Sequence, residues 1–553
     1  MDNDNKNRKY LLMLPVVAAA MLAAGLWAGR YLTLRDREDR ALDKLTEVFD
    51  MVTDCYVDDV DTDSLVELTL PQLIHNLDPH SAYIAAADRK IADRDLESSF
   101  YGIGIQFQLL NDSLYIVEVI SGGAAESAGI LAGDRIIEVD GREISGSDLT
   151  NESVFTMLRG EKDSTVDVKV KRKNSAKPLS FELVRGEIPV SPVDAEYMAN
   201  DSIGYVKIGK FSDNTYSEFL QALGRLRHRG AKAFVIDLRG NGGGYMNPAV
   251  LMANEFFDSP AIIVMTRGRN FSDNSVLATD LTGSFGTEQL VVLIDEFTAS
   301  ASEIFAGAIQ DNDRGLIIGR RSFGKGLVQR SFDMPDSSQI RLTVQRYYTP
   351  SGRCIQKGYT PGKNVDYESE IFERYNRGEV FSADSMRRDS TDVYRTRHGR
   401  EVFGGGGIIP DIFVPSDTSG VTNYYVAVAN AGLLQKFAYE YCDLNRENLD
   451  AANSLDALLA KLPSDPVLLQ SFVNYASTEG GIRPRWYYIN ISQDLIVNQI
   501  KAIIARDILG FSAYFELMNR RDPVVNEAIG RIKRGEAATP VTAEIDKAVN
   551  PTK

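Results

Sequence analysis

Ser300 and Lys325 are the residues around which this sequence can build a reaction. Ser300 follows an apolar run, residues 289–295, and precedes Ile304, Phe305, Ala308 and Ile309 at helical spacing. That pattern predicts a strand leading into a helix that begins near Ser300. Such a junction leaves backbone N–H groups unpaired at the positive end of the helix dipole, which favours a developing oxyanion. Ser300-x-x-Glu303 also fits a capping box, a purely structural use of the same serine. Lys325, between Gly324 and Gly326 after a second apolar run at residues 315–319, shifts the balance towards chemistry. A serine hydroxyl needs a base to become a nucleophile. His75, His80, His228 and His398 form no local pattern with Ser300. A lysine desolvated against an apolar wall is the other available base, provided its ordinary pKa of about 10.4 falls by a few units.

The same stretch has a rival reading. Gly319 and Gly324-Lys325-Gly326 fall one residue short of a phosphate-binding loop, and Gly326 stands where a magnesium-binding Ser or Thr belongs. Residues 327–332 then read as a strand, where that loop requires a helix. Other elements must position the pair. Residues 233–239 form an apolar run ending in Gly240-Asn241-Gly242-Gly243-Gly244, a cluster that lets backbone approach closely. With residues 290–295 and 316–319 it predicts an α/β layer. Residues 339–344 alternate as an exposed edge strand would, and residues 365–403 read as a polar insertion on the surface. Residues 101–185 change to short strands with turns, including a tight Asp140-Gly141 turn. The order of their elements resembles a PDZ domain, in which Gly102, Ile103, Gly104 and Ile105 would occupy the loop that receives a terminal carboxylate. Residues 38–97 and those from Val421 onward carry helical periodicity.

A chain of 553 residues should hold several domains, and a net charge of −16 excludes nucleic acid as a general partner. A basic start, Asn5 to Lys9, precedes an almost wholly apolar stretch over residues 10–29. This is a signal peptide or, more in keeping with its lack of a clean cleavage site, an uncleaved signal anchor. The acidic loop at residues 58–63 lacks the spacing of a calcium loop and reads as solvated. Cys55, Cys354 and Cys442 fit no metal or paired pattern.

Leu77-Asp78-Pro79-His80-Ser81, the PDZ-like segment, Asp237 to Gly244, Ser300-Ala301-Ser302-Glu303, Phe323-Gly324-Lys325-Gly326 and Gly407-Ile408-Ile409-Pro410-Asp411 occur together and in order. In this the chain resembles the carboxyl-terminal processing peptidases. The resemblance implies a multidomain α/β protein: a ClpP/crotonase-like peptidase core with an inserted PDZ domain, a helical N-terminal segment and a helical C-terminal extension. The expected boundaries are 1–37 for a cytoplasmic tip and anchor, 38–96 for the helical segment, 97–187 for the PDZ domain, 188–418 for the core and 419–553 for the extension. It implies a serine endopeptidase with Ser300 as nucleophile, Lys325 as base 25 residues on, and Gln329 orienting the pair. Ala301 and Gly243 would hold the oxyanion, Asp311 would support the site, and Arg159 would report PDZ occupancy. No metal or cofactor is required. Partners would be proteins or peptides with free C-termini, with contact to the membrane through the N-terminal segment and a homo-oligomer within expectation. The place of action would be the bacterial cell envelope, with the catalytic part in the periplasm. The competing class is a catalytically inactive PDZ scaffold that binds C-terminal tails.

Overall fold

The computed structural model describes residue 21 and residues 40–538, apart from 94–98, 111–112, 121, 145–148, 173–174 and 387–391. The expected anchor over residues 10–29 lies outside the described residues except for Met21. Among the described residues no helix is long and apolar enough to cross a membrane. The chain divides into two units, residues 1–77 and 78–553.

In the first unit one helix spans residues 40–55 and a second Thr62–His75. Asp61, from the acidic loop, caps the second by accepting the N–H groups of Asp63 and Ser64. Its charge thus serves a helix start, where unpaired donors and the dipole favour it. Leu42, Leu45, Val48 and Leu68 keep the expected periodicity but remain exposed.

The second unit is built on a six-stranded sheet. Val193–Asn200 runs antiparallel to Ile203–Ile208, and Ala233–Asp237, Gln289–Ile294, Leu316–Gly319 and Ile412–Phe413 follow in parallel. These strands are nearly continuous apolar runs because both faces are covered. Val206, Phe234, Ile236, Leu290 and Val292 face a core shared with helices Thr215–His228, Met246–Asn254 and Ala301–Asp311. Tyr205, Val235, Val291 and Leu316 face the other way, onto Val524, Val525, Ala528 and Ile532 of helix Pro523–Lys533.

A second sheet carries Ala82–Ile84, Gln339–Tyr348, Ile262–Gly268, Ser275–Ala278 and Leu327–Asp333. Gln339–Tyr348 is not the edge strand its alternation suggested. It pairs with Ala82–Ile84, Ile262–Gly268 and Leu327–Asp333. The alternation reports incomplete cover of the sheet faces, which says nothing about free hydrogen-bonding edges. Leu327–Asp333 is a strand, so the helix a phosphate-binding loop needs is not there.

The segment expected to be a surface insertion also packs inward. Helix Asn364–Asn376 buries Tyr367 and Arg374. Its charges are matched in place: Glu370 lies 2.8 Å from Arg374 and 3.4 Å from Lys357, and Arg321 pairs with Glu379 at 2.6 Å. Buried ions persist where they are paired, so the polarity of this stretch does not mean solvent.

Residues 105–184 form their own sheet, with helices Ala124–Ala128 and Asn151–Leu158 against it. Asp140 and Gly141 both adopt positive φ, 47° and 75°, as the expected tight turn requires. Strand Ser113–Val119 is shared between two cores. Leu114 and Ile116 point into this small domain, whereas Tyr115 and Val117 enter the core of the C-terminal helices. There Tyr115 stacks on Tyr439 with ring centres 4.7 Å apart. The helices concerned include Leu433–Leu449, Asp465–Thr478 and Trp486–Leu509. The three cysteines are free thiols.

Candidate active site

Strand Gln289–Ile294 ends in a turn that delivers Ser300 to the start of helix Ala301–Asp311. Thr298 fixes that turn, its hydroxyl 2.9 Å from the Leu238 carbonyl. Ser300 is the N-cap residue and holds φ 57° and ψ −116°. This conformation is costly for a residue with a Cβ, and such strain persists only where surrounding contacts impose it. The Ala301 N–H, first of the helix, has no partner among the described residues.

Facing the serine is the glycine turn. Asn241, fully buried, joins the two turns. Its carbonyl accepts from Ala299 N–H and from Ser302 Oγ, each at 3.0 Å, and its side chain donates to the Ile208 carbonyl. Gly243 has φ +102°, and a Cβ there would fall 2.7 Å from Ser300 Cβ and 3.0 Å from Ala301 N. The absence of a side chain at this one position keeps open the space in front of the serine and the unpaired N–H. The Gly243 N–H itself is given to Asn241 Oδ1 at 2.8 Å. Asp237, at the end of its strand, is buried and gripped by the Arg239 guanidinium, whose charge and that of Lys207 hold its carboxyl well below the usual range despite burial.

Lys325 arrives on the loop after strand Leu316–Gly319. Three ties hold that loop against the serine turn. Phe323 N–H donates to the Thr298 carbonyl at 2.9 Å. The Tyr347 hydroxyl lies within hydrogen-bond reach of both the Ser300 and Lys325 carbonyls, with one proton for the two acceptors. The Glu303 carboxylate accepts Ser300 N–H at 2.8 Å, Lys325 N–H at 2.9 Å, Gly324 N–H at 2.7 Å and Ser322 Oγ–H at 2.5 Å. Ser300 and Lys325 are thus anchored through their own backbones.

The Lys325 side chain is half-buried, and its Nζ donates to Gln329 Oε1 at 3.1 Å. No hydrogen bond joins it to Ser300 Oγ among the described residues. Burial, aided by the Arg341 charge, lowers the Lys325 pKa, while Glu303 and Asp78 work against that. Gln329 is held from the other side by the His80 carbonyl. Residues 78–81 therefore sit behind the lysine. Asp78 accepts from Ser81 and Thr343. Burial and the Lys325 charge drop the His80 pKa to about 4, so its ring is neutral near pH 7, with Nε2 2.8 Å from the Tyr367 hydroxyl.

Asp311 lies at the far end of the helix that Ser300 begins, about 15 Å along it at 1.5 Å per residue. It pairs with Arg353 at 2.7 Å and accepts from Ser351. Its part is to join that helix end to residues 351–353. Gly407 and Ile408 pack on the lysine loop: Ile408 N–H donates to Ser322 Oγ at 2.6 Å. Arg374 donates to the Ser322 and Phe323 carbonyls, so the supposed insertion buttresses the loop that carries Lys325.

In the small domain Gly102 closes strand Ser99–Gly102, Ile103 is buried, and Gly104 takes φ +81° against Gly123. Ile105 opens strand Ile105–Leu110. The Arg159 guanidinium lies over the rings of Phe100 and Phe155, at 4.0 and 4.8 Å, beside Gly102.

Glu303, Asn241, Tyr347 and Arg374 escaped the sequence reading. Only Glu303 left a signal, its place in the Ser-x-x-Glu cap. The cap is real, but its carboxylate also reaches the lysine loop.

Comparison with known proteins places this architecture. Peptidase family S41 matches residues 202–365, the PDZ domain residues 102–183, and a family of unknown function (DUF8443) residues 424–510. The carboxy-terminal processing protease CtpB of Bacillus subtilis is 33% identical over 382 residues, covering 65% of this chain and 79% of that protein. The carboxy-terminal-processing protease of Bartonella bacilliformis is 34% identical over 380 residues, covering 67% and 86%. Among solved structures, the photosystem II D1 C-terminal processing protease is 28% identical with a TM-score of 0.34, over 57% of this chain and 85% of that one. The family matches are those of a serine-type peptidase with a PDZ domain. The chain belongs to the carboxy-terminal processing proteases.

Proposed function

We propose that this protease works with a Ser300–Lys325 dyad, captures protein C-termini on its PDZ domain and cleaves exported proteins near those ends. The observation that carries this reading is the triple tie of Phe323, Tyr347 and Glu303, which fixes the two reactive backbones side by side. A tail adds as a strand beside Ile105–Leu110, its carboxylate at Gly102 to Gly104 and near Arg159. Docking brings Lys325 Nζ from Gln329 to Ser300 Oγ. The neutral amine takes the hydroxyl proton, Ser300 Oγ attacks the carbonyl, and the Ala301 N–H receives the negative oxygen. Gly243 supports this by leaving that space clear. Lys325 then returns the proton to the leaving amine, and water hydrolyses the acyl-enzyme by the same route. The N-terminal segment would hold the protein at the inner membrane with the catalytic part in the periplasm, and the helical ends would support a homo-oligomer. Incubation with an unstructured protein, comparing wild type, Ser300→Ala and Lys325→Ala, tests the dyad. Cleavage should vanish in both variants while tail binding remains; persisting cleavage by Lys325→Ala would overturn the assignment.

A further inference from the structure

We propose that Glu303 is a positioning residue of the dyad, one carboxylate that sets the nucleophile and the base in a single geometry and whose charge tunes how readily Lys325 releases its proton. This rests on the Ser300–Lys325 reading. The geometry is specific. Oε2 accepts the N–H of Ser300 and that of Lys325, and Oε1 accepts from Gly324 N–H and Ser322 Oγ. All four partners are used as donors, which suits an ionised carboxylate, an acceptor only. The side chain is fully buried, so a lost acceptor is not replaced by water. A glutamine of the same shape would turn an NH2 group towards two donors.

The charge matters because of what surrounds it. Lys325, Lys357, Tyr347 and Tyr367 face the carboxylate, and Arg341, Asp78 and the neutral His80 face Lys325. Burial pushes Glu303 up to about 7, so its ionisation falls near neutrality. While ionised it stabilises the Lys325 ammonium and opposes the neutral amine. Glu303 therefore couples two opposed effects, good alignment and a less available base.

The test compares kcat, KM and the pH profile of kcat/KM for full-length Glu303→Gln, Glu303→Asp and Lys325→Ala on one tail peptide, with thermal unfolding alongside. Glu303→Gln should lower kcat by about 100-fold, the loss carried by a 1 Å misplacement, and move the acid limb to lower pH, because an anion that favoured the ammonium is gone. Glu303→Asp, too short to reach both loops but still charged, should lose rate and leave the limb in place. A folded Glu303→Gln with wild-type kcat, or with reduced kcat and an unmoved limb, overturns the proposal. If Glu303→Gln does not fold, wild-type kcat in Glu303→Asp overturns it. Cleavage by Lys325→Ala removes the dyad itself, whatever the Glu303 variants do; its loss together with unaffected Glu303 variants removes this inference alone.

Discussion

Replacing Gly243 by alanine is the most direct probe of the space in front of Ser300. The new Cβ would lie 2.7 Å from Ser300 Cβ, 2.8 Å from the Ala299 carbonyl oxygen and 3.0 Å from Ala301 N. Ordinary contact begins near 3.5 Å, so about 0.5–0.8 Å must be recovered by movement. None of these neighbours is a flexible side-chain end. Ala299 is bonded to Asn241 and Ser300 to Glu303, so the serine turn has to shift as a body. A nucleophile displaced by about 1 Å loses on the order of 100-fold in rate. The φ of +102° adds strain of about 1–2 kcal/mol for a residue with a Cβ. Gly243→Ala should therefore cleave a tail peptide about 100-fold more slowly, with KM changed less than about twofold because the tail is held elsewhere. It should also unfold at about 1–3 kcal/mol lower stability. Gly242→Ala is the folding control. Nothing lies within 4 Å of its added Cβ and its φ is not positive, so stability should stay within about 0.5 kcal/mol. Steady-state kinetics and denaturant unfolding read both variants. Wild-type kcat in Gly243→Ala would refute the reasoning, since the clash leaves no way for the serine to stay in place.

Two further outcomes follow from the same geometry. Ser300→Gly, though inactive, should exceed Ser300→Ala in stability by about 1 kcal/mol, because glycine relieves a strain of about 1–3 kcal/mol while losing about 0.5–1 kcal/mol to chain entropy; chemical denaturation with Ser300→Ala the more stable would contradict the strained turn. Arg341→Gln removes a positive charge that disfavours the Lys325 ammonium, so the ammonium persists to higher pH and the acid limb of kcat/KM should move up, opposite to Glu303→Gln; a limb that moves down would show that another group sets it.

How much of this was legible in the chain depends on what each signal measures. The parallel strands were plain, since burial on both faces leaves unbroken apolar runs such as Ala233–Asp237. Ser300 and Lys325 stood out because a serine at a strand-to-helix junction and a lysine between glycines after a strand are uncommon local patterns. Residues 339–348 misled because alternation records which face is covered, whereas edge position depends on partners distant in sequence. Helix Asn364–Asn376 misled because Arg374 and Glu370 neutralise one another inside the protein, and composition cannot tell a paired ion from a solvated one. Glu303, Asn241 and Tyr347 work only between segments that the fold brings together. Apart from the Ser-x-x-Glu cap at Glu303, nothing in their neighbours along the chain marks them.

Strand Ser113–Val119 belongs to two bodies at once, and this limits how the molecule can be taken apart. A fragment trimmed to the boundaries of the PDZ fold would expose the flat of the Tyr115 ring and Val117 to water. The excised helices would in turn open a notch beside Tyr439. Any movement of the PDZ domain would have to drag those helices along or peel them away.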